Sequence, residues 1–136
     1  MKKLNVIIVY DKTEEKILMC KREKEPYKGL FNLVGGKLEK DEEEYTAAYR
    51  ELQEETGISS NDIKLTHIMN MEYKLKDIEL QIFAGKLNKD VEVIEEVNKL
   101  YWLSKNENYF DVNKFAGEGN IGHMIEQVNL NKDILN

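Results

Sequence analysis

The chain is 136 residues long, 41% hydrophobic, and carries a formal net charge of −6 with a single cysteine and a single proline. That is enough for one domain, residues 1–136, with one sizeable core. The acidic balance argues against a surface for extended nucleic acid, which is normally basic, and the lone Cys20 leaves neither a disulfide framework nor a cysteine pair for zinc, so a reduced, cytoplasmic setting is expected.

The N-terminus, MKKLNVIIVY, combines two lysines with a short apolar run, but the run ends at Tyr10-Asp11 without a small-residue cleavage site and reads as a strand rather than a signal peptide. No stretch approaches the roughly 20 apolar residues needed to span a bilayer, so no membrane partner is expected. Residues 4–10 are rich in β-branched side chains and suit a strand buried on both faces. After a polar turn at 11–15, residues 16–22 return as a second strand. Cys20 within it is a small core residue with no partner to make it reactive. The charged segment that follows, REKEPYKG, is a loop.

Residues 31–37, FNLVGGK, end in paired glycines, which let backbone carbonyls approach a ligand or metal closely. They open the stretch around which the rest is organised, GKLEKDEEEYTAAYRELQEETGI, residues 36–58. At helical period Glu51, Glu54 and Glu55 share a face with Glu44, and Tyr45, Ala48, Tyr49 and Leu52 form a neighbouring apolar stripe. Carboxylates at these spacings repel by roughly a few tenths of a kcal/mol per pair. Glu54 and Glu55 also precede Gly57, the predicted C-cap, where acids oppose the helix dipole. A cation that neutralises the cluster makes sense of it, and several oxygen ligands on one rigid element suit Mg²⁺ or Mn²⁺.

Further on, residues 59–62 are turn-like, residues 63–75 predict a strand bent around Asn70, and residues 79–87 predict another after a turn at Lys76-Asp77. Glu92, Glu95 and Glu96 precede an aromatic strand, Leu100-Tyr101-Trp102-Leu103. Residues 110–115 form a short connection, and Ile121, Met124, Ile125 and Val128 are spaced for a last helix with Asn120 as its N-cap. His67 and His123 read as structural or surface histidines. Strands on both sides of one long helix, with a second helix at the end, make an α/β fold: a mixed β-sheet between helices, an α/β/α sandwich.

Gly36, five residues, Glu42, seven residues, then Arg50-Glu51-Leu52-x-Glu54-Glu55-x-Gly57-Ile58 resembles the Nudix box at every fixed position. The resemblance implies a Nudix hydrolase that cleaves a phosphoanhydride in a nucleoside diphosphate linked to another group, with a small nucleotide as its partner. It implies metal ligands at Glu51, Glu54, Glu55 and the Gly35 carbonyl. One further carboxylate comes from outside the box, and spacing to Trp102 favours Glu96 over Glu95. The general base is Glu54 or Glu96, Arg50 orients a carboxylate, and Glu42 ties the box loop together. Arg22 and Lys37 are candidates for phosphate contact. Many relatives have Pro-Gly-Gly where this chain has Val34-Gly35-Gly36, and the Asn-x-aliphatic-Gly-Gly-Lys form is similar to the branch acting on oxidised purine nucleotides. Asn32 and Asn120 are therefore candidates for reading a base, since each amide carries both a donor and an acceptor. The implied reaction is cleavage of a nucleoside triphosphate to monophosphate and pyrophosphate. An ADP-ribose-like nucleotide sugar, or a binding module that has kept only the fold, are the other expectations.

Overall fold

The computed structural model describes residues 1–136. The near-continuous apolar N-terminal run forms β1 (Lys2–Tyr10), with Ile7, Ile8, Val9 and Tyr10 all buried, as a strand covered on both faces requires. It turns back into β2 (Lys16–Lys21) through a loop closed by Asp11, whose carboxylate accepts from the Glu15 and Lys16 amides. The remaining strands are β3 (Phe31–Leu33), β4 (Thr66–Tyr73), β5 (Ile78–Lys86) and β6 (Leu100–Ser104). The helices are α1 (Glu44–Thr56) and α2 (Asn120–Asn129).

The six strands make one sheet in the order β3-β2-β1-β5-β4, with β6 paired to β2. Only β1 and β5 run parallel, so the sheet is mixed. β1 and β2 pair at Tyr10 and Ile17 and then diverge. The chain from Phe31 fills the gap: β3 pairs with Met19, Cys20 and Lys21 of β2, and the segment after it bridges to β1 at Val34–Ile7 and Lys37–Leu4. The paired glycines are thereby wedged into the sheet.

Alternation along β1 assigns its side chains to two cores. Ile7 and Val9 join Leu18, Phe83, Ala48 and Leu52 under α1, while Ile8 and Tyr10 join Met19, Ile82, Met124, Ile125 and Val128 under α2. The architecture is the α/β/α sandwich expected. No helix is long and apolar enough to cross a membrane.

Two details differ from the sequence expectations. The irregularity in β4 is a bulge between His67 and Met69 rather than a bend at Asn70, and Ile63 lies outside the strand as an isolated bridge to Leu87. Asn120 is not the N-cap of the last helix: Gly119, at φ 91°, occupies that place, and the Asn120 side chain donates to the Tyr73 hydroxyl instead. A left-handed turn that only glycine enters freely outcompetes the side-chain cap.

α1 is docked on β4 by polar as well as apolar contacts. The hydroxyl of Tyr49 accepts from the Leu65 amide at 2.8 Å and that of Tyr45 from the His67 amide at 3.0 Å. Residues four apart on a helix thus meet alternate amides at the entry to an edge strand, one just before it and one within it. Tyr49→Phe strands the Leu65 amide and is expected to cost about 1–2 kcal/mol, more than Tyr45→Phe at its more exposed site. Urea denaturation of the two variants measures the difference.

Candidate active site

α1 begins where Glu43 accepts from the Thr46 amide at 2.9 Å, and ends where Gly57, at φ 78°, donates to the Gln53 carbonyl. Its last turn carries Glu54 and Glu55 and no base. The helix end therefore holds negative charge against its own dipole.

Arg50, four residues before Glu54, is the hub of the site. Its Nε and Nη2 grip both oxygens of Glu42 at 2.7 and 2.9 Å, its Nη1 donates to Glu51 at 3.0 Å and to Glu54 at 3.1 Å, and Nη2 also donates to the Lys37 carbonyl at 3.1 Å. All five N–H donors of the guanidinium are used. The bidentate hold, with a further bond from the Glu39 amide, keeps the Glu42 carboxyl well below the usual range, at about 2. One cation faces four carboxylates once Glu55 is included, so the group is deficient in positive charge.

Glu51 and Glu55 face the glycine wedge. Glu51 lies so close over Gly36 that a Cβ there would meet its Oε2 at 2.3 Å, and a Cβ on Gly35 (φ 144°) would meet the Asn5 carbonyl at 2.2 Å. A side chain at Gly35 is excluded by backbone and by φ, and one at Gly36 would push the Glu51 carboxylate from its place. The Val34 and Gly36 carbonyls are taken by the Ile7 and Asn5 amides, whereas no main-chain amide takes that of Gly35. Glu55 meets only the Gly35 amide, at 3.5 Å. Burial pushes its carboxyl up to about 7, with repulsion from Glu51 adding to the rise. Burial also raises Glu51, against the opposing pull of Arg50. Arg50 draws Glu51 and Glu54 to itself, and no three acidic, histidine or cysteine side chains converge on one point. Glu44, placed on the same face by period, instead approaches His67 Nδ1 at 3.7 Å.

A half-buried carboxylate with one long hydrogen bond, beside a free carbonyl and two further carboxylates, is a donor set of hard oxygens. It fits a small divalent cation.

Next to this group opens a cleft of about 370 Å³. Arg22, Asn32, Gly35, Lys37, Glu55 and Asn120 all line it, bringing the predicted phosphate and base contacts to one cavity. Arg22 is half committed, its Nε donating to the Pro26 carbonyl at 2.7 Å. Asn32 Oδ1 accepts from the Leu33 amide at 2.8 Å. Glu96 is not brought in: it is exposed in the segment before β6 and does not line the cleft, while Glu95 closes that segment by accepting from the Leu100 amide at 2.7 Å. Cys20 lines the cavity but is buried, with its thiol pushed up to about 11.

Sequence reading missed Asn5, Tyr27, Tyr73 and Glu118. Asn5 is buried and accepts from the Gly36 amide at 2.9 Å, which fixes the wedge from below. An asparagine interrupting the apolar run of β1 was its signal. Tyr27 donates to Glu118 at 2.6 Å across the cleft mouth, and Tyr73 accepts from Asn120. These pairs join residues 91 and 47 apart, with no local pattern to reveal them.

The NUDIX domain family model matches residues 1–124. Among solved structures, a C. elegans Ap4A hydrolase superposes with a TM-score of 0.77 at 20% identity, covering 98% of each chain. A MutT protein from Methanosarcina mazei Go1 gives 0.72 at 20% identity over 96% of this chain and 94% of its own. A bifunctional NMN adenylyltransferase/ADP ribose pyrophosphatase from Francisella tularensis gives 0.70 at 21% identity, over 96% of this chain and 40% of its own. No curated protein matches the chain in sequence. At these identities the structural likeness shows the fold, and membership rests on the match over residues 1–124: the chain belongs to the Nudix hydrolase family.

Proposed function

We propose that the chain is a metal-dependent pyrophosphohydrolase of nucleoside triphosphates, purine nucleotides and their oxidised forms above all, releasing a nucleoside monophosphate and pyrophosphate. The observation that carries this reading is the charge-deficient carboxylate group around Arg50, set beside the free Gly35 carbonyl at the edge of a cleft whose lining includes Asn32 and Asn120. A pure binding module gains nothing from carboxylates that repel one another.

Glu51, Glu54, Glu55 and the Gly35 carbonyl would hold Mg²⁺ or Mn²⁺, joined by Glu96 once substrate is bound; such an ion neutralises phosphate charge and lowers the pKa of a bound water. Arg50 fixes the rotamers of Glu51 and Glu54, so the carboxylates are oriented before substrate arrives. Arg22 and Lys37 bind phosphate oxygens from the cleft wall. Water oxygen bonds to phosphorus as the bridging anhydride oxygen leaves with pyrophosphate, and Glu54 or Glu96 takes the water proton. Glu54 is the more exposed of the box carboxylates and stands closest to solvent water. Asn32 and Asn120 face the base with amide groups able to pair with a purine edge.

A panel of nucleotides with Mg²⁺ or Mn²⁺, products resolved by chromatography, tests the reading. Nucleotide-sugar turnover in preference to triphosphates would replace the substrate while keeping the chemistry. Glu54→Gln is expected to lose most turnover, roughly 10²-fold or more, with the metal-free melting temperature unchanged or slightly raised because one repelling charge is gone. Near-normal turnover by this variant sinks the metal-centred mechanism.

Glu55 links metal binding to stability. Its folded pKa is raised above the ordinary 4.5 to about 7, so the folded state holds the proton more tightly. Its ionisation therefore imposes no penalty well below pH 4.5, a growing one between about 4.5 and about 7, and its full penalty above that. Without metal, Glu55→Gln is expected to be more stable than the parent at pH 8, by on the order of 2 kcal/mol, and no more stable at pH 4. Millimolar Mg²⁺ should raise the parent's melting temperature, chelator should reverse the rise, and the variant should respond less.

Asn32→Ala is expected to raise KM for the best purine triphosphate much more than for a pyrimidine one, because a site built to hydrogen-bond discriminates strongly. Equal losses for every base, or a large fall in melting temperature, would make Asn32 a loop-shaping residue only.

A further inference from the structure

β1 and β5 carry one polar rung on the face that α1 covers. Asn5 stands opposite Gln81 in the parallel register, and each is 2% exposed. The next rung on that face, Ile7 opposite Phe83, is wholly apolar and belongs to the core under α1. Two atoms of the polar rung have no hydrogen-bond partner in the protein, Nδ2 of Asn5 and Oε1 of Gln81. One is a donor and the other an acceptor. Buried polar groups left unpaired cost stability, so packing alone does not account for them.

Their place in the fold does. Asn5 Oδ1 accepts from the Gly36 amide at 2.9 Å, and Oε2 of Glu51 stands where a Gly36 Cβ would go. Glu51 descends from α1, and Asn5 shares the α1-facing side of β1 with Ile7 and Val9, so the two side chains reach Gly36 from the same side of the sheet. The hydrogen bond that Glu51 receives from Arg50 Nη1, at 3.0 Å, goes to Oε1 and leaves Oε2 without a donor. Asn70, on the other side of Gln81 in the ladder, is exposed and meets His67 Nε2 at 2.6 Å, which leaves Asn5 as the buried donor opposite Gln81.

We infer that Asn5 is a positioning residue for Glu51 as a metal ligand: when the carboxylates close on a cation, Nδ2 gives one N–H to Glu51 and the other to Gln81 Oε1, while Oδ1 stays on the Gly36 amide. This rests on the metal-dependent reading above and deepens it. Every hydrogen-bonding group of the Asn5 amide then has a use, and Gln81 fixes which way that amide faces. A carboxylate oxygen has two lone pairs, so Oε2 can accept from Asn5 and still face a cation. Arg50 steadies one oxygen of Glu51 and Asn5 the other, the outer-shell support that ligating carboxylates depend on.

The test reads metal binding rather than turnover, by calorimetric titration with Mn²⁺ beside the metal-free melting temperature. Asn5→Asp keeps an acceptor for the Gly36 amide but has no N–H for Glu51. Its Mn²⁺ affinity is expected to fall about tenfold, although the added negative charge alone would tighten the binding of a cation. Unchanged or tighter binding overturns the proposal and leaves Asn5 an anchor of the glycine wedge only. Gln81→Met, which leaves the Gly36 bond intact, should weaken Mn²⁺ binding by less, with the melting temperature held; no weakening removes Gln81 from the arrangement. If Asn5→Asp does not fold, side-chain amide NMR of the parent decides. The Asn5 Nδ2 protons are expected to move downfield as Mg²⁺ saturates the site, whereas a purely structural anchor leaves them where they stand without metal, and that result overturns the proposal. A parent that binds neither Mg²⁺ nor Mn²⁺ removes the metal-dependent reading, and the positioning role with it.

Discussion

The five hydrogen bonds of the Arg50 guanidinium are the constraint on which the rest of the site depends. They join the loop at Glu42, the main chain at Lys37 and two carboxylates of α1 at one point. Loss of the side chain would release Glu42, Glu51 and Glu54 together, and would leave half-buried carboxylates facing one another without a counter-charge. The same guanidinium holds the segment between the glycine wedge and the helix in place through the Lys37 carbonyl. Chemistry and local fold share one side chain, so a stability effect and an activity effect at Arg50 cannot be separated by a single substitution. Glu54, half exposed and held by one bond, is separable.

Sheet geometry supplies the second half of the site. Because β1 and β2 diverge beyond Tyr10 and Ile17, a third segment must fill the gap, and the chain through Gly35 and Gly36 does so. Close approach on both sides crowds any Cβ: the Asn5 carbonyl stands against Gly35 and the Glu51 carboxylate against Gly36. Glycine is thus required at position 35 by contact as much as by φ, while at position 36 it leaves the Glu51 carboxylate its place. Asn5 completes the arrangement from the sheet side, its amide donating to the Gly36 carbonyl and its side chain accepting from the Gly36 amide. That gives the wedge a register fixed at both backbone atoms of one residue.

What the sequence made legible follows from the range of the interactions. Alternation in β1, helical period in α1 and α2, and the spacing of Glu42, Arg50, Glu51, Glu54, Glu55 and Gly57 are local patterns, and each corresponds to an element or contact in the fold. The mistaken cap at Asn120 came from competition between two local signals, a glycine and an asparagine in adjacent positions, which only tertiary context settles. Glu44 shares the period of the acidic face yet turns to His67, because β4 packs beside the first turn of α1 and not the last. Tyr27, Tyr73 and Glu118 were invisible because nothing near them in sequence reports their partners.

This division of range also divides the site by structure. Glu51, Glu54, Glu55 and Arg50 sit on one helix, capped at both ends and packed through Leu52 and Ala48, so their relative positions are set by local geometry. The mouth of the cleft is closed by loops: Tyr27 at φ 68° and Glu118 at φ 51° are both left-handed non-glycine residues, bonded to each other across it. Each such backbone state costs about 1–2 kcal/mol, and one exposed hydrogen bond offsets only part of it. The strain is therefore held by the loops around it, at the mouth of the cleft. The cleft thus has one side set by a capped helix and, at its mouth, a pair of strained loop residues whose backbone states depend on tertiary packing.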